Sequence, residues 1–394
     1  MSEIKQKASV MLRKSIRGLL STFFLFPMDD KLVFIDSMFG KAVSDSAKYY
    51  IEYVIANDRS DTRYIWGLKD GVPHEPMERV TFIKYKSPKW FYYHAIAKVV
   101  LQSHHLYNYM PFRKGQYNVL FWHAGGAYKR IGASVASNNE KQKRLHELRN
   151  SYINDPSVIF LSSSDYFTKY NIEEVYHFTG RIEKTGLPRN DIFFSEERIA
   201  TAAAKVKKAL QLGDAPVFLY APTFRKGTVG ARHNINIDFE KLVSDYEAAH
   251  GVRPYILYRS HYYEKGATEV SSLINVSDYP DMQELLCAAD CLITDYSSCI
   301  WDYALMGRPC FLFVPDLEEY TNKEQGLFVP IDQWPGVVCK DNDELCEQVR
   351  NSDRAEARAA AKERAQRHLR TYGSYEEGKA CERLNALVQE LRGR

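Results

Sequence analysis

Short runs of apolar residues alternate with stretches of helical periodicity along most of the chain. This alternation is typical of a parallel β-sheet that is covered by helices on both faces. The stretch from Ser44 to Asp58 predicts one such helix, with Ser44 or Asp45 as its N-cap. In the first half of the chain, the pattern predicts strands at 31–36, 63–68, 79–84, 98–103, 118–123 and 158–163.

The same alternation begins again after Gly186 and Pro188, which interrupt regular structure. A helix is then expected from 353 to 370, and a last one from 375 to the end of the chain. The second set of apolar runs falls within 215–225, 253–261, 273–279, 290–298, 308–316 and 336–340. The helices predicted between these runs are 239–250, 281–290, 298–307 and 341–351.

A chain of 394 residues that repeats this pattern is expected to form two domains of the α/β class, each a doubly wound Rossmann-like sheet. Ligands bind at the carboxyl ends of the strands in such sheets, so two domains that face each other would leave a binding cleft between them. The expected units are an N-terminal segment at 1–28, Rossmann-like domains at 29–190 and 191–372, and a closing C-terminal helix at 373–394.

The net charge is only +3 and no motif of a nucleic-acid-binding fold occurs, so no nucleic acid is expected as a partner. Positive charge is concentrated at Lys5, Lys7, Arg13, Lys14 and Arg17, and an apolar stretch follows. That stretch is too short to span a membrane. The segment is therefore a basic amphipathic helix on an anionic membrane surface or a first helix packed on the protein's own body.

Seven cysteines lie in the last third of the chain. They form no CxxC pair, and no matching histidines or cysteines complete a zinc site. We expect reduced, mostly buried thiols, as in a cytoplasmic protein, and no bound metal.

Polar residues that could bind a ligand or take part in catalysis follow the predicted strands. One strand ends at Thr294 and Asp295, and Ser297 and Ser298 come just before a helix. Either serine can cap that helix, whose free N–H groups would then attract phosphate. The alternative is that the hydroxyls serve only as caps. Asp302, one turn further on, would orient the loop or be a buried structural carboxylate.

Two other strands end in cationic side chains. Arg259 and His261 are separated by one residue, so their side chains can project on the same side of the chain. Thr223 and Arg225 follow another strand in the same way. Arginine and imidazole groups placed together suit a diphosphate, to which they donate charge-assisted hydrogen bonds. The alternative is an ion-paired arginine beside a solvent-exposed histidine.

In the first half, His123 ends an apolar run and precedes Gly125 and Gly126, with Lys129 shortly after. The glycines would leave space around the imidazole for a bulky substrate, although a lone histidine is more often structural. The motifs of P-loop NTPases, nicotinamide dehydrogenases, zinc proteases and α/β-hydrolases do not occur in these segments, which disfavours those classes.

Five segments, in this order, resemble the CDP-glycerol glycerophosphotransferase family. They are FWHAGGAYKRIG (121–132), TGLPRND (185–191), YAPTFR (220–225), YRSH (258–261) and TDYSSCIWDYALMGRPCFLFVPDLEEY (294–320). Members prime or polymerise wall teichoic acid in Gram-positive bacteria, and usually carry Trp-His-Gly where this chain has Ala124 after its histidine. The resemblance implies the GT-B arrangement of two facing Rossmann-like domains. It also implies transfer of a polyol phosphate from a CDP-linked donor to an acceptor hydroxyl, with release of CMP.

By this resemblance, the N-terminal domain binds the acceptor and the C-terminal domain binds the CDP-linked donor. His123 would be the general base for the attacking hydroxyl, and His261 with Arg259 would hold the diphosphate and stabilise the departing CMP. No cofactor and no metal are implied. The implied donor site also includes Thr223, Arg225, Thr294, Asp295, Ser297, Ser298 and Asp302, and the implied acceptor side includes Gly125, Gly126 and Lys129.

The implied acceptor is an undecaprenyl-diphosphate-linked disaccharide or a growing teichoic-acid-like polymer. We therefore expect a cytoplasmic protein held peripherally at the anionic inner face of the cell membrane. The main hypothesis is transfer of glycerol phosphate from CDP-glycerol. The alternatives are transfer of ribitol phosphate from CDP-ribitol, a GT-B glycosyltransferase that uses a nucleotide sugar, and a non-catalytic binding or scaffold role.

Overall fold

The fold is built from two parallel β-sheets covered by helices. The computed structural model describes residues 3–122, 125–126, 128–135, 139–140, 142–143, 152–223, 237–260 and 273–393, with the side chains of 3–10, 133, 323 and 324 left out. Every pairing between the strands named below is parallel. The predicted α/β class with two doubly wound sheets is confirmed.

The first sheet has seven strands. They are β1 (Asp29–Asp36), β2 (Arg63–Leu68), β3 (Val80–Lys84), β4 (Ala97–Gln102), β5 (Tyr117–Leu120), β6 (Val158–Ser162) and β7 (Arg181–Lys184). Their order is β3-β2-β1-β4-β5-β6-β7, so the order reverses between β1 and β4 and opens a crevice at the carboxyl edge there. The sequence pattern does not predict β7, because this edge strand reads RIEK and has no apolar run.

The second sheet repeats the arrangement with six strands. They are β8 (Val217–Ala221), β9 (Tyr255–Tyr258), β10 (Leu273–Asn275), β11 (Cys291–Thr294), β12 (Cys310–Phe313) and β13 (Val337–Cys339). Their order is β10-β9-β8-β11-β12-β13, which puts the switch point between β8 and β11. Each sheet therefore offers one crevice for a ligand at its carboxyl edge.

Helices connect these strands, and a 3₁₀ helix at Pro188–Phe194 joins the two halves. The longer helices are α1 (Glu3–Leu20), α2 (Asp45–Asn57), α3 (Pro88–Ile96), α4 (Glu196–Ala209), α5 (Phe239–His250), α6 (Met282–Ala288), α7 (Cys299–Ala304), α8 (Asn342–Arg350), α9 (Ala355–Thr371) and α10 (Ala380–Gly393). Local sequence sets several of their ends. Asp238 caps α5 by accepting a hydrogen bond from the Lys241 N–H, and Gly251 ends it at a φ of 69°, a left-handed conformation that suits glycine.

Apolar side chains cover both faces of each sheet. In β1, Val33 and Ile35 belong to one buried cluster, whereas Leu32 and Phe34 belong to another on the opposite face. Helix α10 completes the first of these clusters through Leu384, Leu387, Val388 and Leu391. The C-terminal helix therefore closes the chain by packing on the first sheet.

A single buried cluster also joins the two domains. It contains Tyr128 from the first domain and Trp301 from the second. The Tyr128 hydroxyl lies 2.5 Å from Nε2 of His368, whose Nδ1 lies 2.8 Å from the carbonyl of Gln333. Burial lowers the pKa of His368 to about 4, so the ring is neutral and its Nε2 accepts a hydrogen bond from the Tyr128 hydroxyl.

The N-terminal helix is partly packed and partly exposed. Arg17 donates two hydrogen bonds to the carbonyl of Asn108, at 3.0 and 2.7 Å, and Leu20 is buried. Met11 and Leu19 are about 70% exposed. Within the described part of the chain, no helix has both the length and the apolar character that crossing a bilayer requires.

The seven cysteines are all free thiols, and all but Cys299 are buried. Burial raises the thiol pKa of every one of them, and that of Cys299 to about 11. The expectation of reduced, mostly buried thiols is confirmed, and protonated thiols of this kind are poor nucleophiles.

Candidate active site

Several predicted donor-binding residues meet at the carboxyl edge of the second sheet. β8 and β11 are neighbours at the switch point. The Asp295 carboxylate accepts hydrogen bonds from the N–H groups of Thr223 (2.7 Å) and Tyr296 (2.6 Å). The Thr294 hydroxyl donates to the carbonyl of Ala221 at 2.7 Å. Thr294 and Asp295 thus hold together the two loops that form this edge.

The Thr223 hydroxyl and the Arg259 guanidinium lie at the same edge of this sheet. Thr223 is only 5% exposed, and its hydroxyl has no partner among the described residues. The Arg259 N–H bonds to the carbonyl of Tyr220 at 2.9 Å, and its guanidinium donates from Nη1 to the carbonyl of Tyr279 at 2.7 Å. Burial lowers the pKa of this guanidinium, which still remains charged at neutral pH. A buried hydroxyl and a cation at one switch point suit phosphate oxygens.

The two serines before α7 do not form the strong N-terminal cap that the sequence predicts. Ser298 is at the N-cap position, but its hydroxyl makes no capping bond because its backbone is helical (φ −70°, ψ −8°) and not extended. The Ser297 hydroxyl accepts from the Cys299 N–H over a long 3.5 Å. Helix α7 has six residues, fewer than the predicted 298–307, so its dipole adds little. Both hydroxyls are partly exposed at the donor edge.

Asp302 lies in the interior and not at the donor edge. Its Oδ1 accepts a hydrogen bond from Asn190 at 3.1 Å. Its Oδ2 pairs with the Arg189 guanidinium at 2.9 Å and accepts from Gln283 at 3.0 Å. Because both oxygens are buried and engaged, the donor-binding role predicted for Asp302 is wrong, and the alternative of a buried structural carboxylate applies.

Arg189 also forms an ion pair with the first residue of α2. Ser44 occupies the N-cap position without a capping hydrogen bond, and Asp45 takes a left-handed φ of 61°. The Asp45 carboxylate lies 3.1 Å from Arg189. The capping role expected for Ser44 or Asp45 is therefore not seen in the side chains. Instead, an ion pair with a distant residue stabilises an uncommon backbone conformation.

Gly125 and Gly126 lie directly against the Trp301 indole. A Cβ would be 2.6 Å from an indole carbon at Gly125 and 2.5 Å from one at Gly126. The sequence predicts space for a substrate beside these glycines, whereas in the structure a tryptophan of the other domain lies against them. Lys129 pairs with Leu327 through an isolated antiparallel bridge, so the acceptor-side segment is attached to the second domain.

His123, His261 and Arg225 lie outside the described residues, so their roles stay predictions. The strands that lead to them in the sequence are β5, β9 and β8, and each ends at a carboxyl edge. Asp295 and Thr223 show that the edge next to the Arg225 segment is ordered by hydrogen bonds between loops.

Three residues that join distant parts of the chain were not predicted from the sequence: Arg189, Trp301 and Glu376. Glu376 is buried and accepts hydrogen bonds from the Leu187 N–H, at 3.2 and 3.1 Å, and from Asn190 at 2.9 Å. Burial raises the pKa of Glu376 to about 8. Arg189 and Trp301 fall within recognised segments, but nothing local in those segments reveals a partner far away in the chain.

Two Rossmann-like sheets, with polar and cationic side chains at the carboxyl edge of one, are the arrangement expected of a transferase of the GT-B class. The sequence matches the family described as CDP-Glycerol:Poly(glycerophosphate) glycerophosphotransferase over residues 19–390. The chain belongs to this family, and the predicted family and enzyme class, a glycerophosphotransferase, are confirmed.

Known relatives of this chain include two proteins of Bacillus spizizenii. A teichoic acid poly(glycerol phosphate) polymerase is 26% identical over 364 residues, which cover 88% of this chain and 91% of that protein. A teichoic acid ribitol-phosphate primase is 26% identical and covers 86% and 90%. The solved structure of the wall teichoic acid polymerase TagF matches with a TM-score of 0.81 at 23% identity, over 100% of this chain and 99% of that one. This likeness confirms the GT-B fold.

Proposed function

We propose that this protein adds glycerol phosphate to the free end of a poly(glycerol phosphate) chain, with CDP-glycerol bound at the carboxyl edge of the second sheet. The main support for this donor site is the buried Thr223 hydroxyl, which has no hydrogen-bond partner among the described residues. It lies next to β9, the strand that leads to Arg259. A donor diphosphate would satisfy both groups. The family description and the name of the Bacillus spizizenii polymerase support the choice of acceptor.

On the donor side, Arg259 and the Thr223 hydroxyl bind the diphosphate together with the partly exposed hydroxyls of Ser297 and Ser298. As the bond between the transferred phosphorus and the bridging oxygen breaks, negative charge moves onto the phosphate of CMP. Arg259 and a protonated His261 stabilise that charge, which is the main task of a protein in phosphoryl transfer. By the family resemblance, Arg225 binds at the same edge.

On the acceptor side, His123 takes the proton of the terminal hydroxyl while the hydroxyl oxygen bonds to the phosphorus of the glycerol phosphate. A neutral imidazole near pH 7 suits this role. The segment that follows His123 contacts the second domain. Gly125 and Gly126 lie against Trp301, and Lys129 pairs with Leu327. Contact between the domains, and not empty space around the imidazole, would therefore set the distance from the base to the donor.

The protein would work peripherally at the inner face of the cell membrane, on an acceptor attached to a lipid-linked carrier such as undecaprenyl diphosphate. Support comes from α1, where Arg17 and Leu20 fasten the helix end to the first domain. Among the described side chains of α1 and of the short stretch after it, the exposed large apolar ones are Met11, Leu12, Leu19, Leu25 and Phe26. Such side chains together with basic residues favour an anionic lipid surface.

The decisive experiment is CMP release from CDP-glycerol, CDP-ribitol and UDP-glucose, each with a glycerol-phosphate-primed acceptor and with an unprimed lipid-linked disaccharide. We expect release from CDP-glycerol with the primed acceptor. His123→Ala and His261→Ala should each abolish it, and His74→Ala, at an exposed histidine, should not. Release from CDP-ribitol alone would change the polyol to ribitol, and release only from UDP-glucose would contradict the proposal.

A further inference from the structure

The carboxyl edge of the first sheet holds a polar cluster that the transfer chemistry above does not use. It lies at the switch point between β1 and β4, where open α/β sheets bind ligands. Asp36 ends β1, is fully buried and lies 3.0 Å from Nε2 of His104. Phe39 stacks on the His104 ring at 4.1 Å, and the Ser37 hydroxyl donates to that of Ser103 at 3.1 Å. Buried polar side chains beneath this edge are thus held by internal contacts.

Beside this switch point, three tyrosine rings surround the ammonium group of Lys86. Its Nζ lies 5.3 Å from the ring centroid of Tyr85, 5.0 Å from that of Tyr107 and 5.7 Å from that of Tyr109, all within cation–π distance. The Tyr85 and Tyr107 hydroxyls are hydrogen-bonded to each other. Lys86 also has a φ of 57°, which is uncommon for a residue with a side chain. Several contacts therefore hold this ammonium in one place.

Positive charge accumulates around Lys86. Lys41 follows β1 and Lys69 follows β2. Partial burial and the repulsion of Lys41 and Lys86 lower the pKa of Lys69. Among the residues that the structure describes, no carboxylate pairs with Lys69 or Lys86, whereas Lys84 pairs with Asp70. The lysine–tyrosine patch, as we call this surface, consists of Lys41, Lys69, Lys86, Tyr85, Tyr107 and Tyr109.

We infer that the lysine–tyrosine patch binds phosphodiester groups of the acceptor chain, several units behind its reactive end. The inference rests on the proposed function, because a poly(glycerol phosphate) acceptor carries a negative charge at every repeat. β2 and β3 are three and four places from β5 in the sheet. At about 4.8 Å per strand, the ends of β2 and β3 lie about 14 and 19 Å along the edge from the end of β5. The Lys86 ammonium reaches back over the rings of Tyr107 and Tyr109, which follow β4. An acceptor that contacts Lys69 at the end of β2 and also reaches the end of β5 must therefore extend beyond its reactive unit.

An anionic membrane would also be attracted to these lysines, but the patch lacks the apolar side chains that insert into lipid. Its tyrosine rings are buried or half-buried, and Lys86 lies over them. In the described part of the chain, the exposed large apolar side chains are Met11, Leu12, Leu19, Leu25, Phe26 and Phe194. None of them belongs to the patch, so a phosphodiester chain in solution is the better match.

The test compares the double variant K69Q/K86Q with the matched control K31Q/K84Q, which removes two exposed lysines that pair with Asp61 and Asp70. Binding of poly(glycerol phosphate) chains of increasing length is measured by calorimetry with no CDP-glycerol present. Wild type and control should bind longer chains more tightly. For long chains, K69Q/K86Q should bind about tenfold more weakly, the loss expected for two charge-assisted contacts near solvent. For the shortest acceptor, all three proteins should be equal.

In CMP release, K69Q/K86Q should raise the KM for long acceptors and leave kcat unchanged. Equal affinity of this variant and the control for long chains would overturn the inference, as would a wild type that binds no chain. So would a variant that loses only its binding to anionic vesicles, since the patch would then contact lipid. Chain binding is measured without donor, so a wild type that binds chains but releases no CMP from CDP-glycerol would count against the proposed function alone.

Discussion

Two buried threonines at the donor edge differ in a single hydrogen bond. The Thr294 hydroxyl donates to the Ala221 carbonyl, whereas the Thr223 hydroxyl has no partner among the described residues. A buried hydroxyl without a partner destabilises a protein, and a ligand can remove that cost. The difference predicts a supporting role for Thr294 and a donor-binding role for Thr223, and the two residues can be tested as a pair.

Thr223→Val should raise the KM for CDP-glycerol several-fold and leave the free energy of unfolding unchanged or up to about 1 kcal/mol higher, because valine has the same shape and no unsatisfied hydroxyl. Thr294→Val should instead lower the free energy of unfolding by about 1 kcal/mol, since it removes a made hydrogen bond. Urea unfolding and CMP-release kinetics measure both effects. An unchanged KM in Thr223→Val would remove this residue from the donor site.

Gly126 provides a second test at the scale of the residue, because a Cβ there would be 2.5 Å from the buried Trp301 indole. Gly126→Ala should lower the free energy of unfolding by about 1 to 3 kcal/mol, the usual cost of overpacking. Gly18→Ala is the control, since a Cβ there meets nothing within 4 Å. A fully stable Gly126→Ala protein would show that Trp301 moves aside easily.

At the scale of the element, α1 shows why a helix can be both anchored and exposed. Leu20 is buried, while Leu12 is 62% exposed and Leu19 is 69% exposed. Deletion of the whole segment would uncover the first domain's core around Leu20. Substitution of exposed leucines is the sharper way to test membrane binding.

Leu12→Glu combined with Leu19→Glu should reduce binding to anionic vesicles at least tenfold in a co-sedimentation assay, because both apolar contacts become repulsive. The fold should be unaffected, since neither side chain is packed. Phe194→Glu is the matched control, an exposed aromatic far along the chain that should leave vesicle binding unchanged. Equal binding by the double variant and wild type would reject α1 as the membrane contact.

At the scale of the whole molecule, buried charge specifies how the domains meet. Lys48 of α2 donates to Asp281 at 2.6 Å and to Glu284 at 2.7 Å, across the domain boundary. Burial opposes the charge on Lys48, but Asp281 and the neighbouring carboxylates raise its pKa overall. Arg189 likewise pairs with Asp45 and Asp302. Breaking such pairs leaves an uncompensated buried charge, so they select one arrangement of the domains.

Glu376 makes the stability of this arrangement depend on pH. Burial, together with the nearby Asp302 and Asp191 carboxyls, raises its pKa from 4.5 to about 8 in the folded protein. The folded state therefore holds a proton that the unfolded state releases. This contribution to stability is complete below pH 4.5 and is lost as the pH rises through 8.

Glu376→Gln should remove that part of the pH dependence. Between pH 5 and pH 9, the free energy of unfolding of wild type should fall relative to the variant by roughly 2 to 4 kcal/mol. Urea unfolding at a series of pH values measures the difference between the two proteins, so titration of other groups largely cancels. Parallel curves for wild type and variant would mean that Glu376 is already ionised in the folded protein.

The sequence by itself determined the α/β class, most of the strands and the family, because apolar periodicity and short motifs are local properties of the chain. It also located Thr223, Arg259 and Ser297 just after strands, which a parallel sheet must bring to one edge. β7 escaped prediction because an edge strand with no buried face carries no apolar run.

Only the tertiary structure decided the roles that depend on a partner far away in the chain. Asp302 meets Arg189 and Asn190, so it is a structural carboxylate and not a donor ligand. Gly126 is small because Trp301 of the other domain lies against it. No local pattern records such contacts, because they arise when two separately formed sheets are packed against each other and charges and rings must fit across the boundary.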